Sequence, residues 1–254
     1  MEQWQLLGLL AFSALVMEFV DSSLGMMYGT VLSPLLILLG IEAKVVVPSL
    51  LISQSLGGFM ASYRHHKFSN ADFSKGSLDH KIATTLIWFG VIATVGGVYV
   101  SISISPKVLS TYIACLVIGI AALIFSGVTF RLSNISLRLL GAISAFNKAL
   151  SGGGFGPLVA GGQLVLKDRN EKGAIGSTDF AEAPICLLSF MLWALMKGIP
   201  DLMVMAPLCI GSVVGGFWGP KALSMVAAKN RLKFILGFLI LIEGILVLYK
   251  VWFK

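Results

Sequence analysis

Charge is what this chain has least of. Asp, Glu, Lys and Arg make up 12% of its 254 residues, about half the ~25% usual in soluble domains. That scarcity excludes a soluble fold of this length, which would need far more polar surface. Short segments of alternating hydrophobicity are missing too, which excludes a transmembrane β-barrel. Cysteine is sparse. Cys115, Cys186 and Cys209 each lie inside an apolar run with no C-x-x-C pair, and are expected to be small buried hydrophobes. No Ser-His-Asp or H-E-x-x-H set appears, so no enzyme chemistry, cofactor or metal is expected. The start, "MEQWQLLGLLAF", lacks a basic n-region and a clear cleavage site, and is not read as a secretory signal.

What the chain has is apolar length. Hydrophobic residues make up 57% of it, with a mean hydropathy of +0.91. Apolar runs cover about 3–39, 45–63, 82–105, 108–130, 138–166, 174–197, 202–225 and 232–252, most of them near the ~20 residues that cross a bilayer. The fold class expected is an all-α polytopic membrane protein. Two runs, 3–39 and 138–166, are too long for one span and are interrupted, at "VDSSLGMMYG" (20–29) and "FNKALSGGGFGP" (146–157).

The two interruptions match. A shift of 127 residues lays Phe19 on Phe146, Asp21 on Lys148, Gly25 on Gly152, Tyr28 on Phe155 and Gly29 on Gly156. Further on, "VGGV" (95–98) answers "VGGF" (214–217). This predicts two repeats, 1–130 and 131–254, each with one broken segment and three full spans. Loop charge bears on topology. If both broken segments cross, lysine and arginine divide evenly between the faces. If both are re-entrant, thirteen gather on one face, in the loops 64–81, 131–138, 167–172 and 221–233, and five on the other. The second split is the bias expected of cytoplasmic loops. Three crossings per half then invert the second repeat, and both termini face out.

Backbone at membrane depth leaves the helix only where protein or water satisfies it. A broken helix exposes N–H groups at the start of its second half, and with the helix dipole these suit an anion. Glycines let an anion approach the backbone. "SGGGFGP" therefore reads as the mouth of a half-helix aimed at an anion, with "SSLGMMYG" as its counterpart. The alternative is that these glycines only allow close helix packing. Ionisable residues inside spans are costly and usually functional. Asp21 and Lys148 could pair, or Lys148 could hold the anion directly or snorkel to the interface. Glu18 lies one turn before Asp21. Asp179 and Glu182 share a helix face at i and i+3, and Gln54 is central in its own span, either lining the cavity or bonding between helices. "RHHK" (64–67) reads as a loop end rather than a metal site.

"LGMMYGTVLSP", then "SGGGFGPLVAGG" and "GAIGSTDFAE", resemble the sulfite exporter TauE/SafE family of membrane permeases over about residues 10–250. The resemblance implies an inverted-repeat transporter of small sulfur-containing anions such as sulfite or organosulfonates, often outward. It places the family's glycine motifs on Gly25, Gly29, Gly152, Gly153, Gly154 and Gly156, and its acidic helix motif on Ser177 and Glu182. Met26 and Met27 stand where the family often has more glycine. The substrate-binding residues expected are Asp21, Ser22, Ser23, Gly25, Gln54, Asn147, Lys148, Gly152, Gly153, Gly154, Ser177 and Thr178, with Glu182 and Asp179 for ion coupling. The partners expected are a small anion, the lipid bilayer and a proton or sodium ion. A homodimer is compatible; nucleic acid is not expected. The location expected is the inner cell membrane, multi-pass. An anion channel or a non-transporting membrane subunit is the alternative function.

Overall fold

The structure is a computed structural model that describes residues 3–126, 134–163, 169–225 and 230–253. Among these residues it is all helix, with no strand. A chain with few polar side chains can bury its backbone in a bilayer only by bonding it internally, and helices do so within one segment. The order is α1 (Gln3–Leu24), α2 (Tyr28–Leu38), α3 (Ala43–Lys67), α4 (Leu78–Ser103), α5 (Pro106–Ser126), α6 (Asn134–Ser151), α7 (Phe155–Gln163), α8 (Glu171–Lys197), α9 (Leu202–Met225) and α10 (Asn230–Phe253). A long helix, a short helix and three long helices thus occur in succession twice. Six of the described helices, α1, α3, α4, α5, α8 and α9, are long and apolar enough to cross a membrane.

The two interruptions are true breaks. At the first, Gly25 has φ +77° and Met27 φ 119°. At the second, Gly152 has φ +76° and Gly154 φ +85°. Gly25 and Gly152 correspond at the shift of 127 residues, and so do Met27 and Gly154. Glycine takes a positive φ freely; a methionine there is strained. Where the sequence departs from glycine, the backbone keeps the same turn.

Contacts at the helix ends fix where each broken pair goes. One face of the bundle carries the end of α3, the starts of α4 and α8 and the end of α9. Asn70 donates to the Pro220 carbonyl at 2.8 Å, Lys172 to the Ser224 carbonyl at 3.3 Å, and Arg169 pairs with Asp79. The opposite face carries the end of α2, the end of α4 and the end of α10. There Lys44 donates to the Ile102 carbonyl at 3.2 Å, and Lys250 to the carbonyls of Ile37 and Leu38 at 2.8 and 3.0 Å. α6 begins beside the start of α4, where Gly141 packs on Leu86. Its partner α7 ends with Gln163 bonded to Ala174 and Thr178 near the start of α8. α6 and α7 therefore return to the first face. α1 runs alongside α9 in the same direction, with Gly211 against Ala14, Gly215 against Glu18 and Gly219 against Ser22. It enters from the second face, and α2 ends on that face. Each broken pair thus begins and ends on one face of the bundle, as a re-entrant segment would.

The breaks meet in the interior. A Cβ on Gly29 would overlap the Gly152 carbonyl, and one on Gly153 would lie 2.9 Å from the Gly29 backbone. A Cβ on Gly156 would lie 2.6 Å from the Gly25 carbonyl oxygen. α2 and α7 thus cross backbone on backbone, so close packing is one role these glycines play. The outer surface is apolar, as a lipid-facing surface must be; Trp88, Ile92 and Leu195 point outward. The cysteines divide: Cys186 is buried as expected, Cys209 is half-buried, and Cys115 is exposed.

Candidate functional site

Four helices bring a line of polar side chains together beside the breaks, at the first N–H of a fifth, α2. Asp21, in the last turn of α1, accepts a hydrogen bond from the Tyr28 N–H at 2.9 Å. That N–H begins α2, so the carboxylate caps the positive end of the half-helix. The other Asp21 oxygen accepts from Gln54 Nε2 of α3 at 3.2 Å. The Gln54 carbonyl in turn accepts from Lys148 Nζ, in the last turn of α6. Lys148 Nζ also lies 2.8 Å from Glu182 Oε1 of α8. Asp21, Gln54, Lys148 and Glu182 are all at least 96% buried. The pairing of Asp21 with Lys148 left open by the sequence is not made: Gln54 stands between them. Snorkelling is overturned as well, because Lys148 is 1% exposed and its ammonium finds its partners inside.

Asp179 lies one turn before Glu182 and uses a different partner. Its Oδ2 is 3.0 Å from His65 Nε2, and His65 Nδ1 is 3.2 Å from the Asn70 amide. The reading of "RHHK" as a loop end is thereby corrected: Arg64, His65, His66 and Lys67 form the last turn of α3, and His65 is fully buried. The signal was present. Gln54 and His65 are eleven residues apart, just over three full helical turns, so they share one face of α3.

Ser177 and Thr178 belong to another cluster. Ser177 Oγ donates to Gln163 Oε1 at 2.8 Å, and Gln163 Nε2 donates to Thr178 Oγ1 at 3.0 Å. Arg169 donates to Ser177, to the Gly173 carbonyl and to Gln163. With its ion pair to Asp79, it ties the end of α7 to the starts of α4 and α8. Asn147 accepts from the Tyr112 hydroxyl. Ser22 and Ser23 donate back to their own helix, to Glu18 and Val20 carbonyls. Glu18 points at Gly57 and Ser212 on α3 and α9, and its Oε2 has no hydrogen-bond partner among the described residues.

The N–H groups of the second break already have partners. Gly153 N donates to Ser151 Oγ at 3.2 Å and Gly154 N to Thr30 Oγ1 at 3.3 Å. Thr30, Gln163 and Arg169 were not singled out in the sequence as site residues, and His65 was read only as part of a loop end. Their types are ordinary at helix ends, and only the crossing of distant helices gives them a place. Among the described residues, no group of three His, Cys, Asp or Glu could hold a metal.

A buried ammonium and a half-helix N-terminus each hold a carboxylate of the protein itself. Glu18, Asp21, Asp179 and Glu182 act on one another electrostatically, while Lys148 is bonded to Glu182 and the His65 imidazole to Asp179.

Residues 10–247 match the family described as sulfite exporter TauE/SafE. The "Probable membrane transporter protein YtnM" of Bacillus subtilis (strain 168) is 24% identical over 203 residues, or 76% of this chain and 65% of that protein. The chain thus spans less than two thirds of that relative's length. No solved structure matches the chain.

Proposed function

The chain belongs to the sulfite exporter TauE/SafE family, and we propose that it is a secondary transporter, rather than an enzyme, that moves a small anion across the cell membrane. The observation that carries this reading is the buried Lys148–Glu182 ion pair beside the two breaks. A sulfite, sulfonate or carboxylate anion offers the same oxygens as the Glu182 side chain, so it can take that side chain's place on the ammonium. The N–H groups of Gly153 and Gly154, before the start of α7, join the site when the anion displaces the Ser151 and Thr30 hydroxyls that hold them.

Release of Glu182 leaves a carboxylate without its cation in a buried setting, which is costly. A proton that arrives with, or in exchange for, the anion removes that cost. The surplus of carboxyl groups over cations around the site fits such coupling, and a sodium ion would serve by the same logic. Glu182 and Asp179 are the coupling residues in this reading. Residues 1–130 and 131–254 act as inverted repeats around the site; the matched positive φ values at Gly25 and Gly152, and at Met27 and Gly154, support the pairing. The face that holds thirteen loop cations is assigned to the cytoplasm, with export as the direction.

Purified protein in liposomes tests the proposal. Radiolabelled sulfite and a small organosulfonate should accumulate when a pH or sodium gradient is imposed, and Lys148→Met should abolish that accumulation. Flux of the anion without response to either gradient would indicate a passive pore instead.

A further inference from the structure

A second candidate site lies on the outside of the bundle, on the face shared by the starts of α4 and α6. His80, Lys81, Thr84, Thr85, Trp88 and Phe89 of α4, with Arg138 of α6, line an open groove of about 480 Å³. The groove is graded. At its rim, His80 and Lys81 occupy the first turn of α4, and Arg138, in the second turn of α6, lines the groove further in. Trp88 and Phe89 lie about 10–12 Å deeper by the rise of the helix, and Trp88 is 70% exposed. Arg138 leans over the Phe89 ring, with its guanidinium 5.3 Å from the centroid.

Among the described residues, Lys81 and Arg138 form no ion pair. Lys148–Glu182 and Arg169–Asp79 are ion pairs among the described residues. Asp79, next to the groove in sequence, is thus committed to Arg169. No acidic residue occurs between 127 and 145. The hydroxyls of Thr84 and Thr85 donate to the carbonyls of His80 and Lys81, which leaves the cationic nitrogens as the donors available to an incoming group.

We propose that this groove binds one anionic glycerophospholipid, with its phosphate between Lys81 and Arg138, its glycerol beside Thr84 and Thr85, and an acyl chain along Trp88 and Phe89. Three features agree on that ligand. The charge lies where a headgroup lies, the aromatic side chains lie where the interface passes into hydrocarbon, and basic pockets between membrane helices suit anionic headgroups. A soluble anion would use the rim and leave the apolar floor bare. The site is independent of transport chemistry. It braces the outside of α6, the helix that carries Lys148 at its inner end.

The test is lipid binding by the purified protein, read by native mass spectrometry and by the melting temperature in detergent. Dioleoyl phosphatidylglycerol should bind saturably and raise the melting temperature, and dioleoyl phosphatidylcholine should not. The exposed double substitution Lys81→Gln/Arg138→Gln should weaken phosphatidylglycerol binding about thirtyfold, taking each basic side chain at about 1 kcal/mol. Lys81→Arg/Arg138→Lys should retain binding, and so should Lys67→Gln/Lys75→Gln, which removes the same charge elsewhere on that face. Equal binding of the two lipids overturns the proposal, as does full binding by Lys81→Gln/Arg138→Gln. Inorganic phosphate that displaces phosphatidylglycerol at low millimolar concentration would also overturn it, because the site would then be one for a soluble anion.

Discussion

Lys148 of α6 and Glu182 of α8 form an ion pair of 2.8 Å in the interior of the bundle. The two residues are 34 positions apart in the chain, and each comes from a helix that the other must meet for the charge to be tolerated. Removing one partner leaves a buried charge uncompensated, at a cost of about 3–5 kcal/mol, whereas removing both can be nearly neutral. Lys148→Met and Glu182→Gln should each lower the melting temperature, and the double substitution should recover most of the loss. None of the three should move the anion against a gradient. Flux in proteoliposomes beside thermal unfolding checks both halves, and gradient-driven transport by Glu182→Gln would remove that residue from the mechanism.

The crossing of α2 and α7 makes its glycines unequal. Gly29→Ala and Gly153→Ala push a methyl group onto backbone of the other broken helix, and should destabilise by about 1–3 kcal/mol, the usual range for overpacking. Gly161, in the same short helix as Gly156, has open space around it. Gly161→Ala should be neutral or stabilising by up to about 1 kcal/mol through helix propensity. For Gly153→Ala an effect on anion binding is expected in addition, and the affinity of the fraction that remains folded measures it.

Arg169 holds its cluster through several donors of one planar group. Lysine cannot reproduce that fork. Arg169→Lys should leave Gln163 or Ser177 short of a partner, at about 1–3 kcal/mol for a buried polar group left unsatisfied. The loss should appear as a lower melting temperature and faster amide hydrogen exchange at the end of α7. Wild-type exchange there would mean that α7 is anchored by other contacts.

Topology is checked by labelling single cysteines in a background without Cys115, Cys186 and Cys209. Lys67→Cys, at the end of α3, should be reached only from the cytoplasm. Lys107→Cys, at the start of α5 beside Trp252, should be reached only from outside. Labelling of both from one side would overturn the re-entrant arrangement; a clean reversal of sides would keep the arrangement and invert its orientation.

Much of this architecture was legible in the residues. Long apolar runs name the spans, and "SSLGMMYG" and "SGGGFGP" name the breaks, because a bilayer forbids unpaired backbone wherever the chain lies within it. The re-entrant reading came from loop lysines and arginines alone, and the contacts of Lys250 and Gln163 agree with it. The polar line was only partly legible. Asp21, Gln54, Lys148 and Glu182 stood out as polar residues in apolar surroundings, but Ser177 and Thr178 were grouped with them and lie in the Arg169 cluster instead. His65 was passed over, because a histidine beside arginine and lysine at the end of a run looks like a loop.

The sequence by itself determined the helices, their ends and the two places where they break, since each follows from local hydropathy and from the backbone freedom of nearby residues. Only the tertiary structure decided who pairs with whom. Lys148 meets Glu182 and Gln54 rather than Asp21, and Asp179 meets His65, because the depth and rotation of α3, α6 and α8 are set where helices cross. At those crossings the clearance left by Gly29 and Gly153 fixes how far one backbone slides past the other, and no single segment carries that distance.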